Sequence, residues 1–319
     1  MQSEPGRYHQ IPGLAAPGVW RPLVGVVLLV VLVFGGQLVL STVVGVILVL
    51  GGLDAETALD RLAGDPVTPV FLAVVNLGWA LAIPAVFLVL FLLHRLRPGW
   101  AASVAGRMRW RWLAACLGMA VVALTATVLV STFLPSQGDA SVEVSGTANE
   151  WNAQMRDFVL VVLLLTPLQA AGEEYAFRGY LTQAMGGLLG PLGDRVAVVG
   201  AVVVPAFLFA CAHGLGQDVP IFFDRFAFGL VAGILVLLTG GLEAGIAMHV
   251  LNNFLAFGLA LAFGDMTAAL TPTDGTWWSI PVTLTQSLAY LGGCWWMARR
   301  MGVADRGRVP VLERSGARV

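Results

Sequence analysis

Charge is scarce in this chain, and lysine is absent from it. Charged residues make up 12% of the 319 residues, whereas a typical soluble domain has about 25%. All 18 basic residues are arginine, and the formal net charge of −1 gives no reason to expect a nucleic-acid partner. Hydrophobic residues account for 58%, and the mean hydropathy is +0.83. The composition therefore predicts an integral membrane protein.

Cysteine is also sparse, and the chain has no recognisable cleaved leader. Cys116, Cys211 and Cys294 lie far apart in apolar runs, without the spacing of a thiolate metal site, so we interpret them as packing residues. The first apolar run is about 30 residues long, which exceeds the apolar core of a secretory signal, and no small-residue cleavage site follows it. We therefore expect an uncleaved first membrane span.

Several hydrolase signatures are missing. The chain has no His-Glu-x-x-His, no Gly-x-Ser-Gly within an apolar run and no Gly-x-Gly-Asp. Ser145-Gly146 lies in an acidic connecting segment without a candidate base beside it. Serine and aspartyl intramembrane proteolysis are therefore poor interpretations.

Apolar runs long enough to cross the hydrocarbon core are frequent, and backbone in lipid must be helical to satisfy its hydrogen bonds. We predict an all-α integral membrane protein, a bundle of about eight transmembrane helices. The expected spans are 22–51, 69–93, 112–134, 158–185, 196–214, 222–239, 244–263 and 277–298.

Charged residues alternate in sign between successive connecting segments. Arginines precede the first span, follow the second and follow the eighth, whereas 54–65 and 136–152 are acidic. The positive-inside rule then places both termini in the cytoplasm of a multi-pass cell-membrane protein. We interpret the arginine-only chain as bacterial.

We divide the chain by where its chemistry falls. Residues 1–21 form a cytoplasmic N-terminal segment, and 22–154 supply three accessory transmembrane helices with their loops. Residues 155–263 hold the catalytic helices, and 264–319 comprise the last helix with a basic cytoplasmic tail.

The fourth span carries three charged residues, although charge within a span is costly. Glu174 and Arg178 are one helical turn apart, in the order that favours an ion pair. Glu173 lies about 100° around the helix and need not share that arginine. We expect Glu174 and Arg178 to shape the site, and Glu173 to act as a base in a low-dielectric cavity.

Two later spans contribute further polar groups. His213 ends the fifth span, and His249 and Asn253 share one face of the seventh. Counting helical rise from the turn near Pro191 places Glu173 and His213 within about 6 Å in depth. The same count leaves His249 about 10 Å below His213 unless the turn at Gly240-Gly241 is deep.

Three motifs occur in order in separate spans: Glu-Glu-x-x-x-Arg at 173–178, Phe-x-x-x-His at 209–213 and His-x-x-x-Asn at 249–253. Together, over about 155–260, they resemble the CAAX protease and bacteriocin-processing family of intramembrane proteases. The resemblance implies hydrolysis of a peptide bond in a membrane-anchored protein or peptide, within a lipid bilayer.

The resemblance also implies roles for the catalytic residues. Glu173 would activate a water that His213 helps to position, and His249 and Asn253 would stabilise the oxyanion. No cofactor is certain. The family is often described as metalloproteases, and Glu173, His213 and His249 are the donors that a divalent metal such as zinc would use. A metal-free mechanism suits these residues equally.

Two other functions stay open at this stage. A non-proteolytic membrane scaffold or bacteriocin-immunity-type protein would keep the same fold, and its function would survive mutation of the motifs. A transporter would relay protons through glutamate and histidine, but the two halves of the chain show no internal symmetry.

Overall fold

The computed structural model describes residues 5–135, 147–214, 216–270 and 275–308. Within these ranges the predicted all-α architecture is confirmed, with helices joined by short turns. The acidic segment that includes Asp139, Glu143 and Ser145-Gly146, and the tail arginines Arg314 and Arg318, lie outside the described residues.

The helices follow one another along the whole described chain. In order they are α1 Ile11–Ala15, α2 Trp20–Leu50, α3 Ala55–Ala63, α4 Pro69–Ala80, α5 Ala82–His94, α6 Gly99–Ala102, α7 Trp110–Ser131, α8 Ala153–Glu174, α9 Thr182–Leu189, α10 Asp194–Ala212, α11 Val219–Thr239, α12 Glu243–Phe263, α13 Met266–Leu270 and α14 Ser279–Met301. Short 3₁₀ turns form at Tyr8–Gln10 and Gly190–Leu192, and a π-helical segment at Tyr175–Leu181 joins α8 to α9. Strands β1 Gly6–Arg7 and β2 Arg306–Gly307 pair antiparallel.

Seven of the eight expected spans are helices long and apolar enough to cross a membrane, among the residues that the structure describes. The fourth differs in extent from the prediction, because Ala153–Leu192 is helical over 40 residues rather than over 158–185. The π-helical segment and α9 carry this helix on without a break, which explains why apolar composition alone placed its end too early.

The eighth predicted span forms as α14 but is less apolar than the others, and it is absent from the seven helices that satisfy both length and composition. It has 23 residues and packs against α7 and α11. The pairing of Gly6 with Gly307 and of Arg7 with Arg306 holds the two described ends of the chain at the same end of the bundle. The eighth span stays a prediction, which this pairing agrees with because chain ends on one side require an even number of crossings.

The helices begin where polar side chains can satisfy free backbone N–H groups. Thr68 caps α4 by accepting from Phe71 N, Asn152 caps α8, and Asp218 caps α11. These three capping residues stand in the connecting segments that precede the apolar runs of α4, α8 and α11.

Close contact between helices depends on glycine at α10 and α11. A Cβ at Gly229 would lie 2.9 Å from Ala206 Cα, and one at Gly233 would lie 3.2 Å from the Val202 side chain. Gly229 and Gly233 form a Gly-x-x-x-Gly pattern, which allows α11 to pack closely against α10. This contact places the aromatic residues of α10 and α11 beside the charged end of α8.

Candidate active site

The charged end of α8 lies inside the bundle. Glu173 and Glu174 are buried, with 4% and 0% of their surface exposed, and Arg178 follows in the π-helical segment. Gly172 allows this approach, because a Cβ there would lie 2.0 Å from the carbonyl oxygen of Trp79 on α4. π-helical turns within α-helices are frequent at functional sites. The local fold therefore presents both carboxylates to the centre of the protein.

Glu174 binds two side chains through one oxygen. Its Oε1 accepts from Arg178 Nη1 at 3.0 Å, so the predicted ion pair is present, and it accepts from His249 Nδ1 at 3.0 Å. Gly245, one turn before His249 on α12, leaves room for this carboxylate, since a Cβ there would be 2.4 Å from Glu174 Oε2. Glu174 therefore fixes the imidazole of His249 as well as the guanidinium of Arg178.

Glu173 belongs to a second chain of contacts. Its Oε1 accepts from Gln169 Nε2 at 2.5 Å, and Gln169 Oε1 accepts from Asn253 Nδ2 at 3.1 Å. Its Oε2 is buried, lies 3.5 Å from His249 Nε2 and has no hydrogen-bond partner among the described residues. One carboxylate oxygen is thus held in place while the other stays free beside an imidazole.

The ring of Phe209 lies at the centre of these groups. The Arg178 guanidinium carbon is 3.9 Å from the ring centroid, which is the distance of a cation–π contact. The same centroid is 5.9 Å from the His249 ring and 4.5 Å from the His213 ring. Phe209 therefore links the first position of the Phe-x-x-x-His motif to the residues of the other two motifs.

His213 also lies near Phe209. Among the described residues, it makes no hydrogen bond or ion pair with Glu173 or Glu174. Its Nδ1 lies 2.8 Å from the carbonyl oxygen of Phe209. A carbonyl only accepts, so Nδ1 carries the hydrogen, and Nε2 of the neutral ring is left as an acceptor. Of the six predicted site residues, the structure joins Glu173, Glu174, Arg178 and His249 directly, joins Asn253 through Gln169, and places His213 across the cavity.

The deep turn at Gly240-Gly241, which the depth of His249 required, is present. The turn between α11 and α12 is buried, with the Leu242 amide donating to the Ala102 carbonyl at 2.9 Å and Glu243 fully buried in an ion pair with Arg109 at 2.7 Å. α12 therefore begins inside the protein instead of at its edge. His249 lies only six residues further on, which brings it level with Glu174.

A cavity of about 420 Å³ opens in front of these groups. Glu173, His213, His249 and Asn253 contribute to its wall, together with apolar and polar residues of α4, α11, α12 and α14. Its size is in the range of sites that accept small molecules or short segments of a chain. Glu173 is therefore a wall residue of a space large enough for a water and a peptide bond.

The three donors proposed for a metal do not fit a metal centre. Among the described residues, Glu173, His213 and His249 form no group that could hold a metal ion, and neither does any other set of three such donors. The Nδ1 contacts of His249 with Glu174 and of His213 with the Phe209 carbonyl leave Nε2 of each ring available as a ligand. At most Glu173 Oε2 and His249 Nε2 face one another, which is fewer than the three protein ligands of a catalytic zinc.

Several polar residues of the cavity were not predicted from the sequence, among them Gln169, Asp224 and Arg225. Gln169 stands one helical turn before Glu173, and Asp224 and Arg225 are adjacent charges within the apolar run of α11. The cost of charge inside a span, which drew attention to the fourth span, applies equally to Asp224 and Arg225 and was the signal that could have found them. Gln169 carries no charge and gives no comparable signal.

Comparison with known proteins supports the resemblance stated from the sequence. Residues 155–255, about a third of the chain, match the family model described as "Type II CAAX prenyl endopeptidase Rce1-like". The chain is also 22% identical over 259 residues to the uncharacterized protein YyaK of Bacillus subtilis (strain 168), covering 78% of this chain and 82% of that protein. No solved structure gave a significant match. The family resemblance is confirmed for the segment that contains all three motifs.

Proposed function

We propose that this protein is an intramembrane endopeptidase that hydrolyses a peptide bond of a membrane-associated protein or peptide. The observation that carries the proposal is that Glu173, a residue of the cavity wall, keeps its Oε2 without a hydrogen-bond partner among the described residues, 3.5 Å from His249 Nε2. The match of residues 155–255 to an endopeptidase family supports the same reaction. The proposal concerns activity as well as fold, because members of one fold need not share one function.

In the proposed reaction, Glu173 is the general base. Oε2 takes a proton from a water in the cavity as the water oxygen attacks the peptide carbonyl carbon. The tetrahedral intermediate then collapses: the carbon–nitrogen bond breaks, and Glu173 passes the proton to the leaving nitrogen. The hydrogen bond from Gln169 to Oε1 holds the carboxylate in one orientation through both steps.

The other predicted residues are assigned supporting roles. Because His213 Nδ1 donates to Phe209, its Nε2 accepts a hydrogen bond and orients the attacking water. Asn253 uses one N–H on Gln169 and has a second for the oxyanion. A neutral His249 is an acceptor at Nε2, so it donates to the oxyanion only as the imidazolium, which Glu174 favours through Nδ1.

Charge balance supports this assignment. Two glutamates with one arginine leave an excess negative charge in a buried site, which is costly. The oxyanion role assigned to His249 requires the imidazolium, and with it the four groups would sum to zero. We therefore assign Glu174 and Arg178 to the placement of His249, beyond the shaping role expected from the sequence.

The proposed setting is the bilayer of a bacterial cell membrane with both chain ends in the cytoplasm. The β1–β2 pairing, which holds the two ends together, and the arginines flanking α2 and α14 support this orientation. The substrate then reaches the cavity from the membrane or its surface.

The decisive experiment uses purified protein in proteoliposomes with a membrane proteome, comparing wild type with Glu173→Gln, each with and without a chelator. We expect new peptide termini with the wild type alone. Termini that appear equally with Glu173→Gln would refute the proposal. If motif variants instead complement a deletion strain fully, the scaffold function is the correct one. The chelator arm tests the metal question separately.

A further inference from the structure

Polar side chains of α11, α12 and α14 line the cavity beside the charged cluster. Two pairs among them satisfy each other: the Thr283 hydroxyl donates to Asp224, and Gln286 Nε2 donates to Asn252 Oδ1 at 3.0 Å. The remaining charged group on this wall is Arg225. It differs from its neighbours because nothing in the described chain neutralises it.

Two other arginines within the helical bundle, Arg178 and Arg109, have carboxylate partners. Arg178 pairs with Glu174 at 3.0 Å, and Arg109 pairs with Glu243 at 2.7 Å. Arg225 is half-buried, its Nε is buried without a hydrogen bond, and it forms no ion pair within residues 5–135, 147–214, 216–270 and 275–308. A cation kept at this depth without a partner is costly unless a ligand supplies the counter-charge.

The position of Arg225 relates it to the reacting groups. Arg225 precedes Phe228 by three residues, so it lies about one turn, roughly 4.5 Å of rise, further along the same side of α11. The Phe228 ring centroid is 5.3 Å from that of His249. Arg225 and Glu173 both face the same cavity. A group bound by the guanidinium is therefore within a few residues of a peptide bond held at Glu173.

We propose that Arg225 binds a carboxylate of the substrate peptide and thereby sets which peptide bond lies at Glu173. This inference rests on the proposed endopeptidase function and adds the substrate chemistry. A planar guanidinium matches a carboxylate through two parallel hydrogen bonds. The carboxylate has two sources, the free C-terminus of the peptide or an acidic side chain, and the experiment distinguishes them.

Binding is measured first, with Glu173→Gln as the background so that no cleavage interferes. The probes are three fluorescent peptides of one sequence, an apolar stretch followed by a polar tail: one with a free C-terminus, one amidated, and one amidated with a glutamate added in the tail. We expect the carboxylate peptides to bind at least about tenfold more tightly than the amide, as for hydrogen bonds to charged groups. Adding Arg225→Gln should remove that difference, and Arg225→Lys should restore part of it.

The amidated peptide with glutamate identifies the source. If it binds as weakly as the plain amide, the C-terminal carboxylate is the ligand; if it binds as the free acid does, an acidic side chain suffices. Equal binding of all three peptides, or binding of none, overturns the proposal. Arg156→Gln, which removes an exposed arginine paired with Asp157, is the matched control and should leave the preference unchanged.

Cleavage then tests positioning in the active protein. Moving the carboxylate by one residue should move the cleaved bond by one residue, and Arg225→Gln should raise KM with little change in kcat. If Arg225 were merely structural, its loss would lower thermal stability and leave the cleavage position fixed, which overturns the proposal. Absence of cleavage by the wild type would refute the endopeptidase function instead. The binding assay with the three peptides would then test carboxylate binding by Arg225 separately.

Discussion

Nε2 of His249 lies 3.5 Å from Oε2 of Glu173, close enough for mutual attraction but longer than a hydrogen bond. The opposite nitrogen of the same ring is hydrogen-bonded to Glu174. His249 therefore lies between the two carboxylates of one motif, although it is 75 residues away from Glu174 in the chain. The chemistry of the site depends on this contact between α8 and α12.

Glu173→Gln tests the base. The amide keeps the shape of the side chain and can still meet Gln169, but it cannot accept a proton from water. We expect hydrolysis to fall by about 10²- to 10⁴-fold, the usual contribution of a general base. The measurement is the initial rate on a peptide that the wild type cleaves, together with the thermal stability of both proteins in detergent.

The matched control for this change is Glu56→Gln, at an exposed position of α3. It should leave the rate within about twofold, because an exposed substitution away from the site has little effect. Retention of most activity in Glu173→Gln, with the control also active, would show that another group is the base.

Glu174 and His249 should act as one unit. We expect Glu174→Gln and His249→Gln each to reduce the rate strongly, and the double variant to be little worse than the worse single one. The reason is that Glu174 acts by holding Nδ1, so its loss matters little once the imidazole is gone. In a double-mutant cycle this coupling should amount to about 0.5–3 kcal/mol. Additive losses would mean that the two residues work independently.

Gly172 tests whether the contact between α8 and α4 positions Glu173. In Gly172→Ala the new methyl group would lie 2.0 Å from the Trp79 carbonyl oxygen, which belongs to the backbone and cannot move alone. We expect a loss of stability of about 1–3 kcal/mol from overpacking, and a fall in activity as α8 shifts. Gly258→Ala on α12 is the control, since a Cβ there meets nothing within 4 Å. Similar melting temperatures for both variants would contradict the prediction.

The sequence predicted the membrane helices and the composition of the cluster because both follow from local rules. Apolar length fixed the spans, and the i, i+4 spacing predicted the ion pair of Glu174 with Arg178, which is present. The level of His249 depends on the buried turn at Gly240-Gly241 and was predicted only on that condition. Contacts with Ala102 and Arg109, which are far away in the sequence, set the depth of this turn. A count of helical rise along the chain cannot include such contacts.

Arg225 and Gln169 were missed for different reasons. Arg225 was visible as a charge in an apolar run, but no motif included it. Gln169 has a role only because Asn253 of another helix meets its carbonyl while Glu173 accepts from its amide. Such a bridge between α8 and α12 is a property of packing and becomes apparent only in three dimensions.

The N-terminal segment should make stability depend on pH through His9. This residue precedes the first span and is fully buried, its backbone carbonyl packs against Gly186 of α9, and neither ring nitrogen has a hydrogen-bond partner among the described residues. Burial lowers the pKa of His9 from the ordinary 6.5 to about 4, although the nearby Asp194 opposes the shift. Between those pH values the unfolded chain binds more protons than the folded chain does. The contribution of His9 to the free energy of unfolding is therefore fully present above pH 6.5 and is lost as pH decreases towards 4.

Thermal unfolding of the purified protein at pH 7.5 and pH 5 measures this loss, and His9→Phe, which cannot titrate, should reduce it. Other groups titrate below pH 5 as well, so the decisive quantity is the difference in pH dependence between wild type and variant. An unchanged pH dependence in His9→Phe would show that His9 is not the group that titrates.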